Sequence, residues 1–280
     1  MNKKRKKSII IIVLLMIIIW VVWTNINFTT THYKINNEKI PEAFSEYKIA
    51  EIADLHNHKW GDRIIKTLEK EKPDMIAITG DFVDSSHTDF QVALDFVEKA
   101  KEIAPIYYVT GNHEAWIENY SDLEEKLNDA GVHMMDDRRE WLEKNNKKIN
   151  LIGVQDPDFV ERDIVEGIQE EVIKTKLQPL LDENHYNIVL CHRPELFQGY
   201  VEVGADLVLT GHAHGGQVRI PFVGGLVAPN QGFFPKYTED VYHKNRTDMV
   251  VSRGLGNSII PVRINNMPEL VIVELNKSIK

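Results

Sequence analysis

The chain has 280 residues, with 33 lysines and arginines against 42 aspartates and glutamates, a net charge of −9. Five of the lysines and arginines lie together at residues 3–7. Without these five, the rest of the chain has 28 lysines and arginines against 42 aspartates and glutamates, a net charge of −14. Because affinity for nucleic acid rests on lysines and arginines that neutralise phosphates, this balance argues against a nucleic-acid partner. The single cysteine, Cys191, excludes an intramolecular disulfide.

The N-terminal residues have the pattern of a membrane anchor. Residues 1–8 form a basic tail, and an unbroken apolar run follows from Ile9 to Trp23. Residues 9–28 are long enough to span a bilayer, and no small-residue cleavage motif follows the run, so we predict a signal anchor rather than a cleaved signal peptide. The positive-inside rule keeps the tail in the cytoplasm. We therefore expect a single-pass cell-membrane protein whose domain beyond the anchor is extracytoplasmic.

Beyond the anchor, the sequence predicts a linker and then one large domain. Residues 29–39 are polar and show no periodicity, which is typical of a linker, and residues 40–280 are long enough for one α/β domain. Apolar runs predict strands at 47–53, 74–79, 105–109, 149–154, 186–191, 206–210 and 269–275. Helical spacing predicts helices at 63–70, 90–103, 121–130 and 164–181. Strands alternating with helices indicate parallel βαβ units whose sheet faces are covered.

Five predicted strands are each followed by a side chain that can bind a metal ion. These residues are Asp54, Asp81, Asn112, His192 and His212. Because the carboxyl ends of parallel strands meet at one edge of a sheet, they are expected to converge. His56 and His214 each lie two residues past one of them and can join the same site. Carboxylate, imidazole and amide donors without a thiolate suit Mn, Fe or Zn.

Five short blocks carry a resemblance to a known family. They are Asp54-Leu55-His56, Gly80-Asp81, Gly111-Asn112-His113-Glu114, the isolated His192, and Gly211-His212-Ala213-His214. In this order they resemble the calcineurin-like metallophosphoesterases. The resemblance implies a β-sandwich of two mixed sheets flanked by helices, and hydrolysis of phosphate esters at a centre of two divalent metal ions.

The resemblance also implies a role for each site residue. One ion would be held by Asp54, His56, Asp81 and His214, and the other by Asp81, Asn112, His192 and His212, with Asp81 bridging. His113 would be catalytic and protonate the leaving oxygen. Read alone, Asp54 could be a helix cap and Asn112 a turn residue, but the joint order of the blocks favours the metal site.

Two longer stretches, residues 211–217 and 252–258, resemble the bacterial membrane-associated branch of this family. That branch includes phosphodiesterases that split UDP-2,3-diacylglucosamine, so the resemblance favours a phosphodiester or pyrophosphate on a lipid-linked or envelope substrate. The apolar stretch 220–237 fits a lipid partner or, equally, a buried hairpin. A phosphomonoesterase or nucleotidase acting on soluble substrates, and a non-catalytic metal-dependent binding module, stay open as alternatives. No pattern identifies substrate-binding side chains.

Overall fold

The computed structural model describes residues 3–160, 166–257 and 260–278. Seven α-helices are found in these ranges: α1 (Lys3–Asn25), α2 (Asp62–Glu71), α3 (Phe90–Ala100), α4 (Asn112–Ala115), α5 (Tyr120–Asp129), α6 (Glu166–Leu177) and α7 (Phe197–Val203). Of the helices in the described ranges, α1 alone has the length and the apolar composition needed to cross a membrane. Almost all of its side chains are exposed, as expected of a helix that is not part of a protein core.

Two six-stranded sheets form the body of the protein. In chain order the strands are β1 (Thr29–Asn37), β2 (Tyr47–Ile52), β3 (Met75–Thr79), β4 (Ile106–Val109), β5 (His133–Met134), β6 (Arg138–Lys144), β7 (Lys147–Gly153), β8 (Asn187–Leu190), β9 (Leu207–Thr210), β10 (Arg219–Ile220), β11 (Gly224–Gly225), β12 (Val227–Ala228), β13 (Gly232–Phe233), β14 (Asp240–Lys244), β15 (Thr247–Val251) and β16 (Glu269–Lys277). One sheet has the order β1-β16-β2-β3-β4-β5 and the other β14-β15-β9-β8-β7-β6. Both mix parallel and antiparallel pairs, which confirms the predicted fold class.

The two sheets pack face to face, and the helices cover their outer faces. Ile49 of β2 and Leu209 of β9 belong to the core between the sheets, whereas the next residue in β2, Ala50, packs under α2 and α3. On the other side, α6 and α7 cover β8, where Val189 contacts their apolar residues. Successive side chains of a strand point to opposite faces, so these strands are apolar on both faces and appear in the sequence as continuous apolar runs.

The predicted linker at residues 29–39 is wrong. Thr29–Asn37 forms β1, which pairs in parallel with β16 from Thr29 opposite Glu269 to Asn37 opposite Lys277. As an edge strand, β1 has one fully buried side chain, Ile35, so its sequence carries no clear alternation of polar and apolar residues. Its partner lies some 240 residues away in the sequence, beyond the reach of any local pattern. The folded domain therefore begins directly after α1.

The apolar stretch 220–237 forms two small hairpins, β10–β11 and β12–β13. The expectation of a hairpin is therefore right, but burial is only partial. Ala228 is buried, whereas Phe222, Phe233 and Phe234 are exposed to solvent. These hairpins lie beside the carboxyl ends of the strands, where Leu226 N–H donates to the carbonyl of Gly216, just past His214.

Candidate functional site

Strand ends from both sheets meet at one edge and supply the side chains of the site. Asp54 and Asp81 follow β2 and β3, Asn112 opens α4 after β4, and His192 and His212 follow β8 and β9. All five are buried. The sandwich brings its two sheets together here, so residues up to 158 positions apart in the sequence form direct contacts, as between Asp54 and His212.

Tight turns direct the ligands away from their strands. Asp54, Asp81 and His212 have positive φ angles of 49°, 49° and 64°, a left-handed conformation that is uncommon for residues with a Cβ. Gly80 is needed beside them, because a Cβ at this position would lie 2.6 Å from Nδ1 of His192. Backbone strain of this kind is typical of functional sites, where the surrounding structure holds it in place.

The first group of side chains that could hold a metal ion contains Asp54, His56, Asp81 and His214. Nε2 of His56 lies 3.1 Å from Nε2 of His214 and 3.6 Å from Oδ2 of Asp81. Nε2 of His214 lies 3.4 Å from Oδ1 of Asp54. The four residues that the sequence assigned to one ion are therefore brought together.

The second group contains Asp81, His192 and His212. Nε2 of His192 lies 3.2 Å from Oδ2 of Asp81 and 3.1 Å from Nδ1 of His212. Asn112 lies in the same cavity, and its Oδ1 atom is buried without a hydrogen-bond partner among the described residues. Since a buried acceptor is costly to leave unsatisfied, this oxygen fits a metal ligand. Asp81 belongs to both groups, as the family resemblance implied.

Neighbouring groups orient the two histidines of the second group. Nδ1 of His192 donates to the carbonyl of Thr79 at 2.8 Å, so in the neutral ring the lone pair is on Nε2, which faces Asp81. Nε2 of His212 lies 3.0 Å from Oδ1 of Asn230 and 3.3 Å from Nη1 of Arg193, and in the tautomer that donates to Asn230 the lone pair is on Nδ1. Metal-binding histidines commonly donate their second N–H in this way, so the donor set fits a divalent ion.

The charges of the site also fit a bound cation. Burial raises the pKa of Asp54 to about 7. Burial alone would lower the pKa of His192, but the neighbouring Asp81 carboxylate outweighs it and raises that pKa to about 10. Without another cation, a proton on His192 balances the buried carboxylates. A divalent ion bound here would supply that positive charge and would leave the imidazole neutral for coordination.

The predicted catalytic residue, His113, lies against the first group. Its ring centroid is 4.4 Å from that of His56. Its Nδ1 atom accepts a hydrogen bond from the backbone N–H of Ser85 at 3.0 Å and lies 3.7 Å from the Asp84 carboxylate. In the neutral ring the proton therefore resides on Nε2. Asp84 also lies 3.4 Å from Nδ1 of His56, so it connects both rings.

A cavity of about 290 Å³ lies over these groups. Its polar residues are mostly the site side chains just described, whereas its walls are largely apolar. The lining residues are Asp81, Asn112, His113, Trp116, His212, His214, Gln217, Val227, Ala228, Pro229, Asn230 and Ile260. The hairpin β12–β13 and the chain around Ile260 thus contribute directly to the site.

Two buried arginines support the ligands, and the sequence analysis did not assign them a role. Arg193 forms a bidentate pair with Asp156 at 2.6 and 2.8 Å and donates to Asn230, the partner of His212. Arg263 lies 3.2 Å from Nδ1 of His214 through Nη2. The adjacency of Arg193 to His192 was the available signal, but no local pattern shows that either side chain is buried.

Glu114 connects two of the ligand loops. Its carboxylate accepts hydrogen bonds from the backbone N–H groups of Asp81, Phe82, Val83 and Gly111 at 2.7 to 3.1 Å. The loop after β3 is thereby fixed to the loop after β4. Burial raises the pKa of Glu114, while the N–H donors oppose that effect.

We expect Glu114→Gln to weaken the site through its loops. An amide would remove an acceptor and set an NH₂ group against backbone N–H donors, at a cost of about 1–3 kcal/mol in the free energy of unfolding. Urea unfolding and metal content of the detergent-solubilised chain measure this. Glu118→Gln is the matched control, because Glu118 is exposed four residues further along. Equal stability and metal content in the two variants would contradict the role of Glu114.

Known proteins are similar to this chain over most of its length. The family described as calcineurin-like phosphoesterase matches residues 47–216. The uncharacterized metallophosphoesterase YkuE of Bacillus subtilis is 26% identical over 262 residues, 89% of this chain and 86% of that protein. The phosphodiesterase YaeI of Escherichia coli is 29% identical over 239 residues, 82% of each chain.

Among solved structures, the phosphopantetheinyl hydrolase PptH from Mycobacterium tuberculosis is similar over 74% of this chain and 89% of its own, with 11% identity and a TM-score of 0.48. The family match covers more than half of the chain and spans every predicted metal ligand from Asp54 to His214. The chain therefore belongs to the calcineurin-like phosphoesterases, the metal-dependent hydrolases of phosphoric esters.

Proposed function

We propose that the protein hydrolyses a phosphodiester or pyrophosphate bond of a lipid-linked envelope substrate, with two divalent ions, Mn, Fe or Zn, held by the two groups of ligands. The observation that carries this proposal is the cavity, which combines the ligands with apolar walls formed by Trp116, Val227, Pro229 and Ile260. Polar phosphates suit the ligand side and an acyl-bearing group suits the walls.

The charge of the cavity favours a diester over a monoester. Among the described residues that line it, none is a lysine or an arginine. Arg193 and Arg263 are fully buried and engaged with other protein groups behind the histidines. A monoester dianion carries more charge at the transferred phosphate than a diester monoanion and needs more cationic partners. The relative named phosphodiesterase YaeI also supports this choice.

The residues of the chain divide the chemistry as follows. Bound divalent ions would neutralise phosphate charge and lower the pKa of a water molecule from 15.7 towards about 7. Asp54, Asp81 and Asn112 supply oxygen ligands whose positions are fixed by the strand ends. His113 holds a proton on Nε2 and can donate it towards the leaving oxygen, while Ser85 N–H fixes the ring through Nδ1.

We expect a substrate comparison to separate the alternatives. Full-length protein in detergent, assayed with Mn, Fe, Zn or Mg, should hydrolyse bis-p-nitrophenyl phosphate and a lipid pyrophosphate at least about tenfold more efficiently than p-nitrophenyl phosphate, in kcat/KM. Chelation should abolish all three activities. A preference for the monoester, or for a free nucleotide, would favour a phosphomonoesterase or nucleotidase. Metal binding without any turnover would favour a binding module.

The apolar helix α1 supports the lipid bilayer as a partner of this protein. The helix begins with the basic residues at positions 3–7 and is then apolar from Ile9 to Trp23, so we propose that α1 is retained as an anchor and that the domain lies outside the cytoplasm. The end of α1 lies near the site, since the side chain of Asn25 is hydrogen-bonded to the backbone of Arg263. A lipid-linked substrate in the same bilayer would be concentrated at such a site.

We expect an added protease to degrade the domain in cells whose wall or outer membrane has been removed but whose cell membrane is intact. A cytoplasmic protein is the control and should stay intact until lysis. The orientation follows from the charge difference across α1, where five cations precede the apolar run and the first cation after it is Lys34. Degradation of the domain only after lysis would overturn the orientation without affecting the metal chemistry.

A further inference from the structure

Exposed apolar side chains are concentrated beside the cavity. We name this surface the apolar rim; it consists of Ile220, Phe222, Val223, Phe233, Phe234, Ile260, Val262 and Ile264. Beyond α1, the described residues include three further large apolar side chains that are exposed, Ile26, Val160 and Ile168. Ile26 adjoins the end of α1. Because scattered exposed apolar residues are normal but a contiguous group marks an interaction site, the rim requires a partner.

The rim begins where α1 ends. The amide of Asn25 donates to the carbonyl of Arg263 and accepts from its N–H, both at 2.8 Å. Val262 and Ile264, on either side of Arg263, are 43% and 42% exposed. Arg219 N–H donates to the carbonyl of Ile264 at 2.9 Å, which joins this segment to the hairpin β10–β11.

The rim continues to the cavity through the two hairpins. Phe222 and Val223 form the tip of β10–β11, and Phe233 is paired with Val227, a residue of the cavity wall. Ile260 belongs to both the rim and the wall. One apolar surface therefore extends from the end of α1 to the site.

Two aromatic residues of the rim are held in an uncommon backbone conformation. Phe222 and Phe234 have φ angles of 67° and 56°, where bulky residues are rarely found. Backbone hydrogen bonds hold both conformations: Val223 N–H closes a turn onto the carbonyl of Ile220 at 3.0 Å, and Phe234 N–H donates to the carbonyl of Leu226 at 2.9 Å. Phe222 is fully exposed and Phe234 is 62% exposed, so both rings lie largely in solvent. The hairpins therefore present two large apolar side chains to the solvent, as expected of a surface that contacts a partner.

We propose that the apolar rim inserts into the leaflet in which α1 ends, so that the cavity opens at the level of the lipid headgroups. The inference rests on the proposed membrane insertion of α1 and extends it to a second contact. The bilayer is favoured over a second copy of the chain because α1 is hydrogen-bonded to the rim segment and brings it to the membrane surface. Apolar side chains at such a surface are buried about 5–10 Å into the headgroup region.

Depth measurements on the full-length chain test this proposal without any substrate. An environment-sensitive fluorophore is attached to Phe222→Cys, Val262→Cys, Met16→Cys or Lys147→Cys in nanodiscs of phosphatidylglycerol and phosphatidylethanolamine that hold one copy each. Some of the lipids carry a spin label at acyl carbon 5. Cys191 is fully buried, so the wild type reports background labelling. Met16 lies within α1, and Lys147 is exposed at the start of β7, which runs parallel to β8 and so begins at the edge of the sheet opposite the site.

We expect the labels on Phe222→Cys and Val262→Cys to be quenched at least about threefold more strongly than that on Lys147→Cys, with blue-shifted emission. Quenching on Met16→Cys alone would overturn the proposal and leave the anchor standing. No quenching on Met16→Cys would overturn both. A blue shift on Phe222→Cys without lipid quenching, growing with two copies per disc, would assign the rim to a second copy and also overturn it.

Hydrolysis of bis-p-nitrophenyl phosphate by each labelled variant shows that the fold and the site are intact. Because the two rim positions lie on different segments, a folding defect in one variant leaves the other as the test. The depth measurement uses no lipid substrate. The rim can therefore be shown to insert even if the proposed substrate class is wrong. Conversely, if the protein hydrolyses a lipid pyrophosphate but the labels on the rim are not quenched, the proposed function stands and the proposed insertion of the rim is wrong.

Discussion

Asp81→Asn is expected to abolish hydrolysis and to remove bound metal from both groups of ligands. Oδ2 of Asp81 lies 3.2 Å from Nε2 of His192 and 3.6 Å from Nε2 of His56, so one carboxylate serves both groups. Losing one preorganised group commonly costs 10²–10³-fold in rate, and because this residue is shared we expect a loss of at least about 10³-fold. Metal content by mass spectrometry and kcat for bis-p-nitrophenyl phosphate measure it.

The asparagine keeps the shape of the aspartate, so the prediction concerns charge rather than packing. Burial opposes the charge of Asp81, but His192 and His113 more than offset it, and the pKa of Asp81 lies well below its usual range. Oδ1 of Asp81 also accepts a hydrogen bond from the backbone N–H of His113 at 2.8 Å, a bond that an amide oxygen can retain. Asp95→Asn is the control, because Asp95 is exposed on α3. Full metal content and turnover in Asp81→Asn would contradict the hypothesis that the Asp81 carboxylate is a ligand in both groups.

The ligand groups could be predicted from the sequence because each ligand follows a strand that is apolar on both faces. Met75–Thr79 is a continuous buried strand, and the residue pair Gly80-Asp81 marks its end. Residues with this arrangement meet at one edge whatever the details of packing. The structure brings together Asp54, His56 and His214 as expected. The roles of the individual ligands in binding metal stay predictions.

The edge strand and the supporting residues could not be predicted, because their reasons are not local. β1 is polar and is identified by its pairing with β16. Arg263 is fully buried and contacts His214, 49 positions away, but an arginine in a loop is ordinarily exposed. The exposed tips of the hairpins were also ambiguous, since an apolar stretch with glycines fits both a buried hairpin and an exposed surface. Sequence periodicity indicates which faces of a strand or helix are buried, but it does not identify contacts with residues that are distant in the sequence.

These distant contacts link the membrane segment to the chemistry. Asn25, the last residue of α1, is bonded to the backbone of Arg263, and the guanidinium of Arg263 lies against His214 while donating to the carbonyl of Gly256 at 2.5 Å. The same arginine therefore connects the end of α1 with a side chain of the candidate metal site. In this fold, the end of α1 and His214 therefore contact the same buried residue.

His113→Ala is expected to retain most of the metal and to slow turnover by about 10²–10⁴-fold, the usual range for general acid help. Its Nδ1 atom is held by Ser85 N–H, so Nε2 is the atom that can give a proton or a hydrogen bond to the leaving oxygen. The loss should be largest for a poor leaving group such as an alkyl phosphodiester. It should shrink for bis-p-nitrophenyl phosphate, whose leaving group needs no proton.

The dependence of the rate loss on the leaving group distinguishes a catalytic role of His113 from a structural one. If His113 only supported the ring of His56, with its centroid 4.4 Å away, the variant would lose metal and would slow all substrates equally. His87→Ala is the matched control, because the ring of His87 is 91% exposed and contacts the same Asp84 carboxylate. Because Asp84 also contacts both His56 and His113, an equal loss in the two histidine variants would place the effect on this carboxylate. Only a loss confined to His113→Ala, and graded with leaving-group basicity, supports the role of proton donor.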